Sequence, residues 1–401
     1  MRWLIAMILI LLLAISTAVE AVLAATDSSD YDSIYEVDIG EGRGVEAVDI
    51  FGSCDHFQYK QDHSDQKGMH VLCLVQTNAY TINVNIILNG RTEKAFSYPY
   101  DPARLDATLI FEYIKKFIHP TERAVEGWLA TDSSGTAIFS IDRMIYEGTI
   151  FVFTGGNYMI PGVRIGYEQT NSFGHRITTL SLRPLVFRVS NFLTHDECDH
   201  IKLRAEPHLK QSLTSKMDHD LDKPDSTWRT SEQYFLPSQE DDIISSIDSR
   251  VADLTKTQVN QQEQVQVLRY LEGQFYKQHT DYFDPSLYKG QPDVLDSIEH
   301  GESNRYITVL WYLSNVSSGG YTLFPKSFNV THRREDEDCF DDDSVALKVP
   351  PSKGDVIVFY SLFADRSLDE TSLHAACPVG AGETKWAANK WIWSKQKYYL
   401  N

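Results

Sequence analysis

The stretch from Gly273 to Phe283, GQFYKQHTDYF, places a histidine and an aspartate two positions apart in an aromatic-rich segment. Residues i and i+2 of a strand point to the same face, so His279 and Asp281 are predicted to project together. A buried imidazole and carboxylate are costly unless they bind something, and a metal ion is one such partner. An imidazole and a carboxylate are two of the three ligands in the facial triad of non-haem iron oxygenases. The alternative is a surface pair, because His-x-Asp is common by chance.

The length and charge of the chain limit the kinds of protein it can be. With 401 residues, 42% of them hydrophobic, the chain has room for two globular domains. The formal net charge of −19 at pH 7 argues against a nucleic-acid partner, whose phosphates would be repelled.

The N-terminus has the features of a targeting segment. Arg2 precedes a short apolar run at 4–15, and small residues follow. This pattern predicts a signal peptide over residues 1–25, and the alternative is a signal anchor that holds residues 3–25 in a membrane. Either one sends the chain into the secretory pathway, where we expect it in the lumen of the endoplasmic reticulum or Golgi.

Sequons and cysteines agree with an oxidising lumen. Asn315 and Asn329 each begin an Asn-x-Ser/Thr sequon, so a glycoprotein is expected. None of the five cysteines forms a CxxC pair, which argues against a zinc ribbon. One or two disulfides are expected, with one thiol left over, and the pairing stays open. The cysteines are Cys54, Cys73, Cys198, Cys339 and Cys377.

Residues 26–35 read as an acidic tether, and residues 36–170 as a small mixed α/β domain of unknown role. Its predicted order, ββα–ββ, is similar to that of a β-grasp domain. The turn at Asn89-Gly90 separates the first two predicted strands. The predicted strands are 80–88, 92–98, 136–141 and 148–156, and the predicted helix is 107–118.

The second domain, residues 178–401, is predicted to begin with helices and continue as strands. Thr194 and Glu197 have capping-box spacing, so a helix is expected to start there. A second helix is predicted at 239–255, with Ile243 and Ile247 on its apolar face. The many strands that follow predict a sandwich or jelly roll. With its separate helical and strand regions, the whole chain is predicted to be an α+β protein. These strands are 265–271, 274–283, 304–314, 319–325, 355–360 and 385–393.

From about 180 to 395 the chain resembles the catalytic domain of prolyl 4-hydroxylases, which are iron(II)- and 2-oxoglutarate-dependent dioxygenases. The resemblance rests on five ordered segments: FLTHDEC, WRTSEQYFL, QVLRYLEGQFYKQHTDYF, NRYITVLWYLSNVSSGGYTLFP and KGDVIVFYSLFADRSLDETSLHAACPVGAGETKWAANKWIW. It implies a double-stranded β-helix, which is a jelly roll, with flanking helices. The domain over 36–170 receives nothing from it.

The resemblance implies roles for individual residues. His279, Asp281 and His374 match the three iron ligands, and Lys385 matches the basic residue that pairs with the distal carboxylate of 2-oxoglutarate. Tyr270 is expected to donate a hydrogen bond to the same carboxylate.

The resemblance suggests roles for three further positions. Thr308 is a candidate for a third contact with the 2-oxoglutarate carboxylate. Trp391 is expected to pack near the site, and Arg229 to orient substrate.

The spacing between the distal histidine and the lysine departs from the family by one residue. In the family the basic residue follows the histidine by ten positions, whereas here Thr384 occupies that position and Lys385 comes next. We expect the turn at 380–382, Gly-Ala-Gly, to absorb the insertion, because a slip within the strand would turn every later side chain over. The alternative is that Lys390 serves the carboxylate.

The implied activity resembles that of procollagen-proline 4-dioxygenase, with decarboxylation of 2-oxoglutarate to succinate. Iron(II), dioxygen and ascorbate are the further cofactors, and a proline-containing peptide or protein is the expected partner. A dioxygenase of the same class that acts on another residue or a small molecule is one alternative. A binding module without activity is another, and the oligomeric state stays open.

Overall fold

The structure is a computed structural model that describes residues 66–89, 92–99, 107–115, 127–162, 164–171, 173–239, 241–327, 339–340 and 346–397. The predicted targeting segment and acidic tether, as well as the sequon asparagine Asn329, lie outside these residues. None of the described helices is long and apolar enough to span a membrane.

The N-terminal part forms a five-stranded sheet in which every neighbouring pair is antiparallel, in the order β3-β2-β1-β5-β4. Two helices cover one of its faces, where Ile110, Ile114, Ile141 and Met144 are buried. The elements are β1 Met69–Asn78, β2 Thr81–Leu88, β3 Thr92–Pro99, α1 Thr108–Lys115, β4 Leu129–Thr131, α2 Ile141–Glu147 and β5 Thr149–Phe153.

This order, βββαβαβ, differs from the ββα–ββ prediction. The first strand was missed because residues 69–74 are buried on both faces, so their sequence lacks the alternation of a half-exposed strand. The prediction of a strand at 136–141 is wrong. That segment leads into α2, where the Ser140 side chain accepts a hydrogen bond from the Arg143 N–H and caps the helix. The observed order gives the β-grasp interpretation no support.

The C-terminal part contains two further antiparallel sheets, the architecture of a jelly roll. The larger sheet has nine strands in the order β6-β7-β8-β16-β13-β18-β11-β10-β9, and the smaller has four in the order β12-β17-β14-β15. The large-sheet strands are β6 Glu168–Thr170, β7 Arg176–Leu182, β8 Leu185–Val189, β9 Lys210–Gln211, β10 Glu232–Leu236, β11 Val265–Tyr270, β13 Arg305–Tyr312, β16 Val356–Tyr360 and β18 Lys385–Trp393. The small-sheet strands are β12 Tyr276–His279, β14 Thr322–Phe324, β15 Leu347–Val349 and β17 His374–Ala376.

Apolar side chains fill both faces of the nine-stranded sheet. On the inner face Tyr312 and Phe359 pack against Phe324 of the small sheet. The outer face carries a larger core, to which both helices α3 His195–Ala205 and α4 Asp242–Thr255 contribute. A short helix, α5 Pro292–Ser297, lies in the insertion between the ligand-bearing segment and β13.

The two long helices follow their sequence signals closely. The predicted capping box of Thr194 and Glu197 is present at the start of α3. Helix α4 begins after Asp241, whose carboxylate accepts from the N–H groups of Ile243 and Ile244. The prediction that Ile243 lies on the apolar face is wrong, since it is 38% exposed, while Ile244 is buried.

The cysteines divide as the count suggested. Cys339 and Cys377 form a disulfide, Cys73 is also disulfide-bonded, and Cys198 is a buried thiol. This disulfide links Cys377, the residue that follows β17, to the insertion that contains Cys339.

A buried ion pair joins α4 to the outer face of β18. Lys390 Nζ lies 2.7 Å from Asp248 Oδ1, and the two side chains are 1% and 4% exposed. Burial lowers the pKa of Lys390, and Asp248 opposes this by favouring the charged form. Removing one partner would leave the other as an uncompensated buried charge.

We therefore expect Asp248→Ala to lower the free energy of unfolding by about 3–5 kcal/mol in urea denaturation. The double variant Asp248→Leu/Lys390→Met replaces the pair by apolar groups and is expected to recover most of that loss. A loss below about 1 kcal/mol for Asp248→Ala would show that the pair is not energetically coupled.

Candidate active site

The pairing of β12 with β17 places two histidines opposite each other. His279 is the last residue of β12 and His374 the first of β17, and they are register partners. Asp281 lies two residues beyond the end of β12, so the prediction that both ligands sit within one strand is wrong. Its carboxylate nevertheless reaches the same point, because the chain turns toward the large sheet after His279.

The three side chains converge on one position. His279 Nε2 lies 3.9 Å from Asp281 Oδ1, and His374 Nε2 lies 3.7 Å from Asp281 Oδ2. All three ligand atoms are within 4.8 Å of one another, a spacing that one metal ion can bridge. Two imidazole nitrogens and a carboxylate oxygen form the donor set typical of non-haem iron(II). The residues therefore fit the metal that the sequence predicted.

Backbone carbonyls orient both imidazoles. His279 Nδ1 is 2.8 Å from the carbonyl oxygen of Lys277, and His374 Nδ1 is 2.9 Å from that of Ser372. A proton on Nδ1 is donated to each carbonyl, which leaves Nε2 of each ring as the metal-binding lone pair.

Asp281 is oriented by a threonine from the opposite sheet. The Thr308 hydroxyl on β13 donates to Asp281 Oδ2 at 2.6 Å, and both residues are buried. Thr308 was predicted to contact 2-oxoglutarate, and the structure gives it this different partner. The sequence alone does not show whether Thr308 contacts 2-oxoglutarate or Asp281, because either contact requires only that the threonine face the interior of the jelly roll.

Electrostatics favour deprotonated ligands. Burial, and then the neighbouring His374, lower the pKa of His279 to about 3. Burial acts to raise the pKa of Asp281, but the two histidines and Arg305 outweigh it, so the pKa falls below its usual value. At neutral pH His279 is a neutral imidazole and Asp281 a carboxylate, the forms that bind metal ions.

Lys385 extends into the cavity that the two histidines also line. It is 2% exposed, and no carboxylate of the described residues lies within ion-pair distance of its Nζ. The nearest cation–π partners are Tyr270 and Tyr312, whose ring centroids lie 5.5 and 5.8 Å from Nζ. Burial lowers the pKa of Lys385 to about 7. An anion in the cavity would supply the missing counter-charge.

Thr322 on β14 also lines this cavity, and sequence reasoning missed it. Its hydroxyl oxygen accepts from the Tyr312 hydroxyl at 2.9 Å, which leaves the threonine proton available for another acceptor. The available signal was the strand segment GGYTLFP, in which Thr322 is the only hydroxyl besides a tyrosine.

The two lysines of β18 lie on opposite faces of the sheet. Lys385 lines the cavity, whereas Lys390 points outward to Asp248. Successive side chains of a regular strand point to alternate faces, so two residues five positions apart lie on opposite faces. This placement agrees with the expectation that the turn before β18 absorbs the extra residue.

The remaining predicted residues surround the site. Trp391 stacks with Arg305, whose guanidinium carbon is 3.6 Å from the ring centroid. Arg229 is buried at 2% exposure and lies 4.5 Å above the ring of Tyr276, which itself stacks on His279. An exposed position for Arg229 is therefore excluded.

A family model described as the 2OG-Fe(II) oxygenase superfamily matches residues 265–393. The chain is 36% identical over 227 residues to probable prolyl 4-hydroxylase 7 of Arabidopsis thaliana, covering 56% of this chain and 68% of that protein. It is 36% identical over 236 residues to prolyl 4-hydroxylase 13 of the same plant, covering 56% and 79%. The chain belongs to the prolyl 4-hydroxylase family. This prolyl 4-hydroxylase is accordingly an iron(II)- and 2-oxoglutarate-dependent enzyme. Its His-Asp-His cluster lies inside the matched segment, with His279 on β12, Asp281 just after β12 and His374 on β17.

Among solved structures, this prolyl 4-hydroxylase is similar to the viral collagen prolyl hydroxylase of Paramecium bursaria Chlorella virus-1 in its 2-oxoglutarate complex. The identity is 25%, the TM-score is 0.35, and the match covers 52% of this chain and 95% of the viral chain.

Lys385→Ala is expected to weaken 2-oxoglutarate binding while leaving metal affinity largely intact. Loss of a charge-assisted hydrogen bond to a buried carboxylate costs about 2–5 kcal/mol, or roughly thirty- to several-thousand-fold in affinity. The dissociation constant is measured by calorimetry on metal-loaded protein. The matched control is Asp248→Leu/Lys390→Met, which alters the outward lysine of the same strand and should bind 2-oxoglutarate normally.

The pH dependence gives a second check on the same lysine. With a pKa of about 7, Lys385 is charged below neutral pH and neutral above it. Binding of the dianion requires the charged form, so affinity is expected to fall up to about tenfold per pH unit above 7. Lys385→Arg keeps its charge and should flatten this dependence; a wild-type profile that is already flat to pH 9 would contradict the assignment.

Proposed function

We propose that this prolyl 4-hydroxylase modifies prolines in extended, polyproline-II-like segments of secreted proteins. His279, Asp281 and His374 hold iron(II), and Lys385, Tyr270 and Thr322 hold the distal carboxylate of 2-oxoglutarate. The metal, when bound, supplies the oxidising chemistry that couples decarboxylation of 2-oxoglutarate to hydroxylation of the substrate. Ascorbate serves as the reductant that restores iron(II) after uncoupled turnover.

The observation that carries the cosubstrate assignment is the buried Lys385 beside the triad, which has no carboxylate partner among the described residues. Burial without a carboxylate partner disfavours the charged form of a lysine, and an anion that binds beside it stabilises that form. 2-Oxoglutarate offers a carboxylate at each end, so one end reaches the metal while the other meets Lys385. A monocarboxylate lacks the second contact.

A groove next to the ligand strands supports an extended peptide substrate. It encloses about 180 Å³ beside β12 and β17. Polyproline-II segments are preorganised and dock in grooves lined by aromatic rings, so little conformational entropy is lost on binding. Phe340 is 75% exposed at this groove and is held there by the neighbouring disulfide. The lining consists of Phe275, Tyr276, Lys277, Cys339, Phe340, Ala375, Ala376 and Pro378.

The test is a panel of proline-rich peptides assayed with iron(II), 2-oxoglutarate and ascorbate, with succinate and peptide mass both measured. We expect the gain of one oxygen atom on proline, coupled to succinate, and better turnover of basic or neutral peptides than of acidic ones. His279→Ala is the inactive control, because it removes one of three ligands. Succinate formed with a different acceptor, and none with any proline peptide, would favour the related dioxygenase activity instead.

The same proposal places the enzyme in the lumen of the secretory pathway. A disulfide between Cys339 and Cys377 suits an oxidising compartment. Asn315 is exposed just beyond the end of β13, so its sequon is accessible. We expect N-glycans at Asn315 in protein from a eukaryotic host, detected as a glycosidase-sensitive mass shift that Asn315→Gln reduces by one glycan. Unmodified protein that fractionates with cytosolic markers would contradict this placement.

A further inference from the structure

We propose that the N-terminal sheet has a positioning role in the reaction: it clamps the segment that orients the metal ligand His374. This segment, residues 361–373, is called the ligand arm below. It runs from the end of β16 to the start of β17. The inference rests on the proposed role of His374, and it gives a function to a region that the catalytic resemblance leaves without one.

Two backbone hydrogen bonds form the clamp. The N–H of Gly155, just past β5, donates to the carbonyl of Ala364 at 2.8 Å. The N–H of Asp365 donates to the carbonyl of Lys67, just before β1, at 3.2 Å. The tip of the ligand arm is thus held between the start of the first strand and the end of the last strand of the N-terminal sheet.

The contact is so close that only glycine fits on the N-terminal side. A Cβ atom on Gly155 would overlap the carbonyl oxygen of Ala364, and one on Gly68 would overlap the backbone nitrogen of Asp365. Gly68 also has a φ of +77°, which disfavours other residues. Lys67 adds a side-chain contact, with its Nζ 5.0 Å from the ring centroid of Phe363.

Within the ligand arm, hydrogen bonds run from the clamp back to the sheet. Phe363 N–H donates to the Ser367 carbonyl at 2.9 Å, and a β-bridge pairs Leu362 with Leu368. The N–H of Asp369 then donates to the Ser361 carbonyl at 3.0 Å. The tip that the N-terminal sheet holds is therefore the closed end of a small hairpin.

The second half of the ligand arm connects this hairpin to the metal ligand. The Asp369 carboxylate accepts from the N–H and the hydroxyl of Thr371, at 2.9 and 2.6 Å. The N–H of Ser372 donates to the Asp369 carbonyl at 3.1 Å, which fixes the orientation of the next peptide. The Ser372 carbonyl in turn accepts from His374 Nδ1. The atom that orients the imidazole therefore belongs to the ligand arm.

The other two ligands do not depend on this segment. His279 is oriented by the carbonyl of Lys277 in its own strand, and Asp281 by Thr308 in the large sheet. Loosening the ligand arm is thus expected to affect one ligand of three, and partners that orient metal ligands typically change metal affinity by 10–100-fold. A region that only covers apolar surface would change stability without this specific effect.

The test uses Gly155→Ala, which forces the N-terminal sheet away from Ala364. Cobalt(II) is titrated into metal-free protein as a spectroscopic probe, and hydrogen exchange is followed over residues 361–373. We expect about 10–100-fold weaker cobalt binding and faster exchange in the ligand arm. The matched control is Asn157→Ala, which removes a bond from Asn157 Nδ2 to the Ser394 carbonyl at 3.3 Å, part of the same interface but away from the arm. It should bind cobalt normally.

A second variant avoids the steric clash. Lys67→Met removes the charge above the Phe363 ring and should weaken cobalt binding by roughly two- to fivefold. Gly155→Ala and Lys67→Met proteins that are folded and bind cobalt like the wild type would overturn the clamp. His374→Ala separates this result from failure of the site itself: if that variant also binds cobalt normally, His374 is not a ligand and the proposed function fails.

Discussion

The antiparallel register between β12 and β17 is the constraint on which the site depends. It brings His279 and His374 face to face, and a slip of one residue would turn His374 to the other side of the small sheet. Strand β17 has only three residues, so its own ladder fixes the register weakly. Pairing of Leu323 with Ala375 on its other edge and the disulfide at Cys377 both oppose such a slip.

Two buried lysines on β18 illustrate how the strand period separates stability from ligand binding. The outward lysine, Lys390, has a carboxylate partner supplied by a helix, so its charge is compensated in the protein alone. The inward lysine, Lys385, has no carboxylate partner among the described residues, and its burial is unfavourable until an anion enters the cavity. The same residue type on the same strand thus stabilises the fold in one place and favours ligand entry in the other.

Much of the C-terminal fold was predictable because its strands carry long runs of apolar and aromatic residues, as in residues 385–393. The ligand set was predictable because three residues retain the spacing and surroundings of a family motif. The roles of Thr308 and Thr322 were not predictable. Both threonines face the interior, and the packing of the two sheets decides which of them contacts the carboxylate of Asp281. Strand β1 escaped prediction for a related reason, since burial on both faces removes the period that marks a strand.

The core on the outer face of the nine-stranded sheet is continuous with the N-terminal sheet. Phe151 and Phe153 of β5 belong to the same buried cluster as Tyr306 and Tyr360 of the catalytic part. Separating the two parts would expose this apolar surface to water, so the catalytic part is not a self-contained module with a finished surface of its own. A substitution that changes side-chain volume on one side of the boundary must therefore be accommodated by repacking on the other side.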